Sequence, residues 1–500
     1  MMGPNKPVVM AVTNELTIMG LDDWVGQIGL RIAAGERVLT LFGRADGNNH
    51  VIATAVLQAT HGRLAILRAR ALRTDSFDAL TTRYPSVQMF ERELWEQTGL
   101  TPVGHPWLKP VRYEADRQQT MHAHPFFSVR GEEIHEVGVG PIHASVIEPG
   151  HFRFMCHGEQ VHHLELQFGY QHRGVEALLL KRPLLSLSST VESIAGDSSI
   201  AYAWSHCAAL EALSDTQVSM TTERVRGIAL ELERVAMHLS TLTGLATDIA
   251  FLQGGATYGR LRTAIINATM RLCGSRFGRG WLRPGGVRFG IDTKRRNDLL
   301  VTLADFSRDM AEINDLMLTS HSVQSRLKGI GTVSHQAAAD IGLVGLSARA
   351  SGVAIDMRSS LPGRLYESHP LALLTEETGD CWARMQLRMW EVEESVHWVT
   401  HLLDTPDLPL DDGEDSDDDL LTAIGPLWHD TLCISIREGF RGPVVQALET
   451  RADGQLVHYK VQDPSLVNWF GLTLAMRDSE ISDFPICNKS FDLSYCGNDL

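Results

Sequence analysis

Residues 222–242 read TERVRGIALELERVAMHLSTL, from Thr222 to Leu242. Val225, Ile228, Ala229, Leu232, Val235, Ala236, Leu239 and Leu242 recur at steps of three and four, which predicts a helix with one apolar face. Arg224, Glu231, Arg234 and His238 form a polar stripe on another side of the same helix. Such a stripe is either solvated or meets a second apolar layer and becomes an internal charge network.

Outward from this helix, further helices are predicted over Asn297–Ser320, His335–Ile341 and Arg384–Leu403. Toward the N-terminus the pattern changes. Val38–Gly43, Val51–Leu57 and Leu64–Leu67 are short, β-branched-rich runs bounded by Gly, Asn and Arg, and read as strands. Helical stretches flank them near Thr13–Leu30 and Ser76–Thr82. Residues 1–112 are therefore expected to form a small α+β domain, and the polar segment 113–130 a linker. Strand-like runs return over Glu132–Glu165, Thr431–Ile436 and Gln455–Val461, ahead of a tail rich in turn residues. The expected fold class is α+β, with residues 131–500 combining a central helical bundle and peripheral strands.

The 500-residue length predicts more than one domain, and 44% hydrophobic with 21% charged residues is ordinary for a globular protein. A formal charge of −16 argues against a nucleic-acid partner, because phosphate binding needs a basic footprint. No run of eighteen apolar residues occurs, and Met1–Leu16 lacks the pattern of an export signal, so any membrane attachment is expected to be indirect. The seven cysteines include no Cys-x-x-Cys pair, which fits reduced thiols and offers no local iron–sulfur or zinc signature. The acidic run 404–419 is expected to be a disordered loop, since it lacks the glycine and terminal glutamate spacing of a calcium loop.

Several motifs remain. Tyr84-Pro85-Ser86, the run Phe90–Leu100 and Gly104-His105-Pro106 resemble the signature of the complex I 30-kDa subunit, with Trp107 where an acidic residue is usual. Gly140-Pro141-Ile142-His143, Glu148–Phe154, Gly169-Tyr170-Gln171-His172-Arg173-Gly174-Val175-Glu176 and Glu231-Leu232-Glu233-Arg234 resemble the group 4 membrane-bound nickel-iron hydrogenase large subunit and its sister, the complex I 49-kDa subunit. Arg283–Val287, Arg349–Gly352, Asp356-Met357-Arg358, Gly379-Asp380 and Arg441-Gly442 continue the resemblance in the family's order.

The resemblance implies a fused chain lacking the nickel-iron centre. Four thiolates hold such a centre, and the aligned positions read Ala195, Ser198, Ser465 and Asn468. It further implies that this chain binds no cofactor, that a 4Fe-4S cluster resides in an iron–sulfur partner, and that quinone or another acceptor takes the electrons. Antiporter-like membrane subunits and a dehydrogenase module would complete the assembly, with the chain peripheral on the cytoplasmic face of the membrane. The rival readings are an NADH-quinone oxidoreductase fused C/D-type subunit and a non-catalytic scaffold.

By the same resemblance, His143 or His151 lies on the hairpin facing the emptied cavity. His172, Ser198, Tyr202, Ser465 and Asn468 line that cavity. Glu176 either shuttles protons with Arg173 nearby or simply pairs with Arg173 one helical turn away. Arg224, Glu231, Arg234 and His238, extended by Asp380 and Arg384, would form a buried polar relay.

Overall fold

The computed structural model describes residues 6–59, 62–114, 121, 123–144, 147–405 and 420–500. Most of the acidic run 404–419 lies outside them, as does part of the expected linker.

The predicted helix extends over Met220–Asp248, with the Ser219 side chain accepting a hydrogen bond from the Thr222 N–H at its start. A serine in this position satisfies one of the amides that a helix start leaves free. Both stripes are buried: Val225, Ile228 and Leu232 in one direction, Glu231, Arg234 and His238 in another. The helix is therefore the centre of a bundle. Leu252–Cys273 and Cys381–Asp404 pack against it, and Thr293–Thr319 packs outside them. At Gly227 a β-carbon would come within 2.9 Å of the Trp398 ring, so glycine permits the close approach of the Trp398 helix.

Three larger sheets surround or abut the bundle. In the first, Arg37–Asp46, His50–Gln58 and Leu64–Leu72 form an antiparallel meander, with the short strand Ile18–Met19 parallel to Leu64–Leu72 at its edge. Helices Leu21–Ala33 and Gln88–Thr98 cover it through Trp24, Ile28, Phe90 and Leu94. The second is the meander Ile134–Val139, His151–His157 and Gln160–Gln167. The third runs Val8–Val12, Thr431–Glu438, Pro443–Thr450 and Leu456–Gln462, all antiparallel. The architecture is α+β, with a β-rich N-terminal region and a helical region after it.

Four expectations are corrected. Val8–Val12 pairs with Thr431–Ser435, so the first strand of residues 1–112 belongs to the C-terminal sheet. The stretch Ser76–Thr82 is a strand, Ser76–Asp78, followed by one 3-10 turn, because Ser76–Asp78 pairs in parallel with Thr101–Val103. Helix in Thr13–Leu30 begins only at Leu21, after a 3-10 turn and the strand Ile18–Met19. The tail is helical over Ser465–Ala475, Phe484–Phe491 and Tyr495–Asp499, and it is buried. Leu466, Trp469, Leu472, Ile486 and Phe491 supply apolar anchors there that its polar residues mask in sequence. Leu466 and Val467 join the N-terminal core, so the two regions share apolar packing.

Candidate functional site

The loop 195–198 and the segment 463–468, which enters the helix Ser465–Ala475, come together at the start of the helix Ser199–Leu213. Tyr202, one turn into that helix, donates its phenolic hydrogen to the Asp463 carboxylate. Asp463 Oδ1 also accepts the Ser465 N–H at 2.7 Å. Asp197 takes both oxygens to Arg441, at 2.9 and 2.7 Å, and Arg441 bonds on to the Asp492 carbonyl. Burial and the Asp463 charge push the Tyr202 phenol well above its ordinary range. Burial alone would lower Arg441, but Asp197 and Asp492 hold its guanidinium firmly charged. One thiol, Cys496, lies beside the cluster, its Sγ 3.5 Å from Ser494 Oγ.

Several expected cavity residues are committed to backbone. Ser465 Oγ accepts the Ser494 N–H at 2.9 Å. Asn468 clamps Val344, accepting its N–H at 3.0 Å and donating to its carbonyl at 3.2 Å. Ser198 Oγ reaches Asp197 at 3.4 Å, and the Ser198 carbonyl accepts the Tyr202 N–H. His172 Nδ1 bonds the Asp499 carbonyl at 2.8 Å. His143 Nε2 bonds the Gly150 carbonyl at 2.7 Å and His151 Nδ1 the Gly140 carbonyl at 3.2 Å, so each ring closes the mouth of the hairpin. Burial lowers the His151 pKa, which favours its neutral form.

Glu176 and Arg173 do not pair. Arg173 caps the carbonyls of Ser193, Ile194 and Cys496, while Glu176 accepts from the Val461 N–H, Lys460 and Gln97. Burial would raise the Glu176 carboxyl, but Lys460 and Arg112 outweigh it and hold the pKa at about 2. The partners that decide this arrive from residues 97, 112 and 460, which is why local spacing misplaced it.

The polar stripe becomes a buried network through residues from elsewhere. Glu231 bonds Arg234 at 3.0 Å, Arg358 at 3.0 Å, Tyr366 at 2.8 Å and Ser395 at 2.7 Å. Arg358 links Glu231 to Asp356 and Glu391. His238 Nε2 lies 2.7 Å from Glu391, and its Nδ1 3.0 Å from Arg388 Nη1. Burial keeps His238 neutral, with a pKa lowered to about 4, so Nε2–H donates to Glu391 and Nδ1 accepts from Arg388. Arg224 is not in this network: its Nε and Nη1 are buried without partners among the described residues. Nor do the Asp380 and Arg384 side chains pair, although the Arg384 N–H donates to the Asp380 carbonyl at 3.1 Å. Asp380 caps the helix Cys381–Asp404 through the Ala383 N–H, and Arg384 bonds Ser490 and the Gly379 and Gly331 carbonyls.

Glu233 is a site residue that the periodicity did not single out. It is buried and accepts the Ile200 and Ala201 N–H groups, at 2.6 and 3.2 Å, at the helix start beside Asp197. Burial pushes its carboxyl up to about 8. The folded chain then keeps this proton up to about pH 8, whereas an ordinary carboxyl loses it near 4.5. Stability from this group is therefore complete in acid and is lost as pH rises through that window. Glu233→Gln should reduce the pH slope, read as urea midpoints at about pH 5 and about pH 9, and leave the share contributed by Glu438, whose carboxyl burial also pushes up to about 8. An identical slope in both proteins would refute the assignment.

Among the described residues, no group of three or more His, Cys, Asp or Glu side chains is placed to hold a metal ion, and no helix is long and apolar enough to cross a membrane.

The sequence matches the family described as the respiratory-chain NADH dehydrogenase 30 Kd subunit over residues 34–127, and that of the 49 Kd subunit over residues 248–419. It is 28% identical over 358 residues to the carbon monoxide-induced hydrogenase of Rhodospirillum rubrum, spanning 71% of this chain and 96% of that protein. It is 27% identical over 500 residues to formate hydrogenlyase subunit 5 of Escherichia coli (strain K12), spanning 93% of this chain and 85% of that protein. The fold matches a chain from the structure of the membrane-bound sulfane sulfur reductase, an archaeal respiratory membrane complex, with a TM-score of 0.66 at 21% identity, over 74% of this chain and 99% of the other. The two families follow one another along a single polypeptide, and the chain is thus a fused complex I 30-kDa- and 49-kDa-like subunit related to group 4 hydrogenase large subunits.

Proposed function

We propose that this chain is a peripheral subunit of a complex I-like or membrane-bound hydrogenase-type oxidoreductase complex, and that it takes electrons from an iron–sulfur partner to an acceptor held near Asp197, Tyr202 and Asp463. The observation that carries this reading is that two hydrogen-bonded groups adjoin at the start of one helix: Asp197–Arg441 from the 195–198 segment, and Tyr202–Asp463–Ser465 from the 463–468 segment. In this reading residues 1–112 without the first strand, and residues 131–500 with it, are the two domains.

The residues present do not fit a nickel-iron centre. Soft thiolates hold such metals. Ala195 has no donor atom, and the Ser465 hydroxyl and Asn468 amide are hard, neutral groups already engaged by Ser494 and Val344. No step is therefore assigned to nickel or iron in this chain. Tyr202 and Asp463 hold a proton at a fixed position: the phenol stays protonated at neutral pH, and its hydrogen points along a bond to the carboxylate. Glu233, neutral below about pH 8, lies one turn away as a second proton store. The Glu231–Glu391 network would couple this site to partner subunits in the membrane.

The test is turnover of the intact assembly with the electron donor supplied. Tyr202→Phe and Asp463→Asn should each lower turnover by about 100-fold, the scale of a lost positioned acid. Glu176→Gln and His143→Ala should change it less than about threefold, since both side chains face backbone or a fixed cation rather than the cluster. Wild-type turnover in all four variants would replace this reading with that of a scaffold subunit. Stoichiometric nickel in the purified assembly would restore the hydrogenase reading.

A further inference from the structure

Beside the Asp197–Arg441 pair a groove of about 480 Å³ opens between the central helix, the helix Leu252–Cys273 and the loop that follows it. Three arginines wall it: Arg262 from the helix, and Arg276 and Arg279 from the loop. None of the three has a carboxylate within salt-bridge distance among the described residues. Arg262 Nε is enclosed without a hydrogen-bond partner. Arg276 only stacks on its neighbour Phe277, 5.6 Å from the ring centre. Arg279 Nε makes one long contact, 3.4 Å, to Ser199 Oγ.

The acidic groups lining the groove do not neutralise them. Asp197 gives both oxygens to Arg441. Asp492 accepts from Thr241 at 2.6 Å and has Arg441 at 4.0 Å. Counting the five charged side chains that line the groove and Arg441 behind them, the groove carries four cations against two anions. It does so in a chain whose formal charge is −16. Arg276 and Arg279 are exposed and Arg262 is half-buried, so water screens their mutual repulsion in part, and low ionic strength leaves it strongest. A guanidinium fork matches the paired oxygens of a carboxylate or phosphate. The volume lies within the range of small-molecule pockets, roughly 300–1,000 Å³.

We propose that this groove is a binding site for a small oxyanion, of the carboxylate or phosphate class, held by Arg262, Arg276 and Arg279 next to the Asp197–Tyr202–Asp463 cluster. The binding claim rests on the charge and shape of the groove and goes beyond the electron-transfer reading. If that reading holds as well, the site admits a negatively charged molecule to the cluster rather than only a neutral one.

The experiment is calorimetric titration of the purified full-length chain, at low ionic strength, with malonate and separately with inorganic phosphate. Saturable binding of one equivalent is expected for at least one of them, and which one binds distinguishes the two anion sources. Arg276→Gln, Arg279→Gln and Arg262→Gln should each weaken it by about 10-fold or more, the scale of one charge-assisted hydrogen bond. Arg260→Gln, on the same helix but paired with Asp309, is the control and should leave affinity within about twofold. Two results overturn the proposal: no saturable binding of either anion, or equal affinity in the arginine variants and the wild type. A third does so differently. Binding by the chain alone that disappears in the intact assembly would reassign the arginines to an acidic surface of a partner subunit. Turnover with a neutral acceptor is measured separately, so its failure removes the electron-transfer reading and leaves the titration standing.

Discussion

Glu391→Ala should destabilise the helical region by about 3–5 kcal/mol, the range for breaking a buried ion pair from one side. Glu391 Oε1 accepts from Arg349 at 2.6 Å and from Arg358 at 3.0 Å, while Oε2 takes His238 at 2.7 Å. All four side chains are buried. Alanine would leave two guanidiniums without this carboxylate and would strand the His238 N–H. Glu391→Gln is the more informative variant, because it keeps the volume and removes the charge. It should lose most of the same stability. Hydrogen exchange of the amides in Met220–Asp248 is the readout, since a chain of this size need not unfold in one step. Protection unchanged to within about 1 kcal/mol would show that the network is not what holds the bundle together.

The same network sets an acid limit. Burial would raise Glu391, but Arg349 and His238 outweigh it and hold its carboxyl well below the ordinary value of 4.5. Its contribution is therefore present above about pH 4.5 and is lost as pH falls through the depressed folded value. Over that range the His238 ring, with its pKa of about 4, also takes up a proton and can no longer accept from Arg388.

Glu93→Ala carries the second large effect, and it falls between the two regions rather than inside one. Glu93, on the helix Gln88–Thr98, is fully buried and takes both Arg112 and Lys460, the latter at 2.5 Å. Lys460 belongs to the third sheet, and Arg112 Nε donates to the Asn498 carbonyl at 2.8 Å near the C-terminus. One carboxylate thus joins the N-terminal region to two distant parts of the other. Its removal strips Arg112 of its carboxylate and leaves Lys460 with Glu176 alone, at 3.1 Å, at a cost of about 3 kcal/mol. The loss should appear as earlier exchange and proteolysis of residues 6–112 while the helical bundle keeps its protection. Glu449, which binds Arg44 at 2.9 Å and Arg68 at 2.8 Å across the same divide, is the second latch. Glu93→Ala with Glu449→Ala should release the region further than either alone. Simultaneous loss of protection in both regions would mean that they fold as one unit.

These effects explain where sequence reading stopped. Helix periods and strand alternation are local, so Met220–Asp248, Thr293–Thr319, Cys381–Asp404 and the meander Arg37–Leu72 were legible from neighbouring residues alone. The motifs around residues 84–106 and those from Arg283 to Asp380 lie within the two family matches and carried their tandem order. Glu176 shows the opposite case. Its local partner at helical spacing was Arg173, but Lys460 and Arg112 captured it because the strand Leu456–Gln462 passes beside it. Asn468 and Ser465 looked like cavity residues and serve as backbone clamps, a role visible only once Val344 and Ser494 arrive.

The chain's own pattern determined most of its element types and, through its motifs, its likeness to the complex I 30-kDa and 49-kDa subunits. Only the tertiary structure decided that the polar stripe Glu231, Arg234 and His238 faces Arg358, Glu391 and Arg388 instead of water. The physical reason is that a charged residue on a helix carries the same local signal whether its counter-charge is solvent or a side chain more than a hundred positions away. Burial and partner choice are set by packing, and packing is a property of the whole fold.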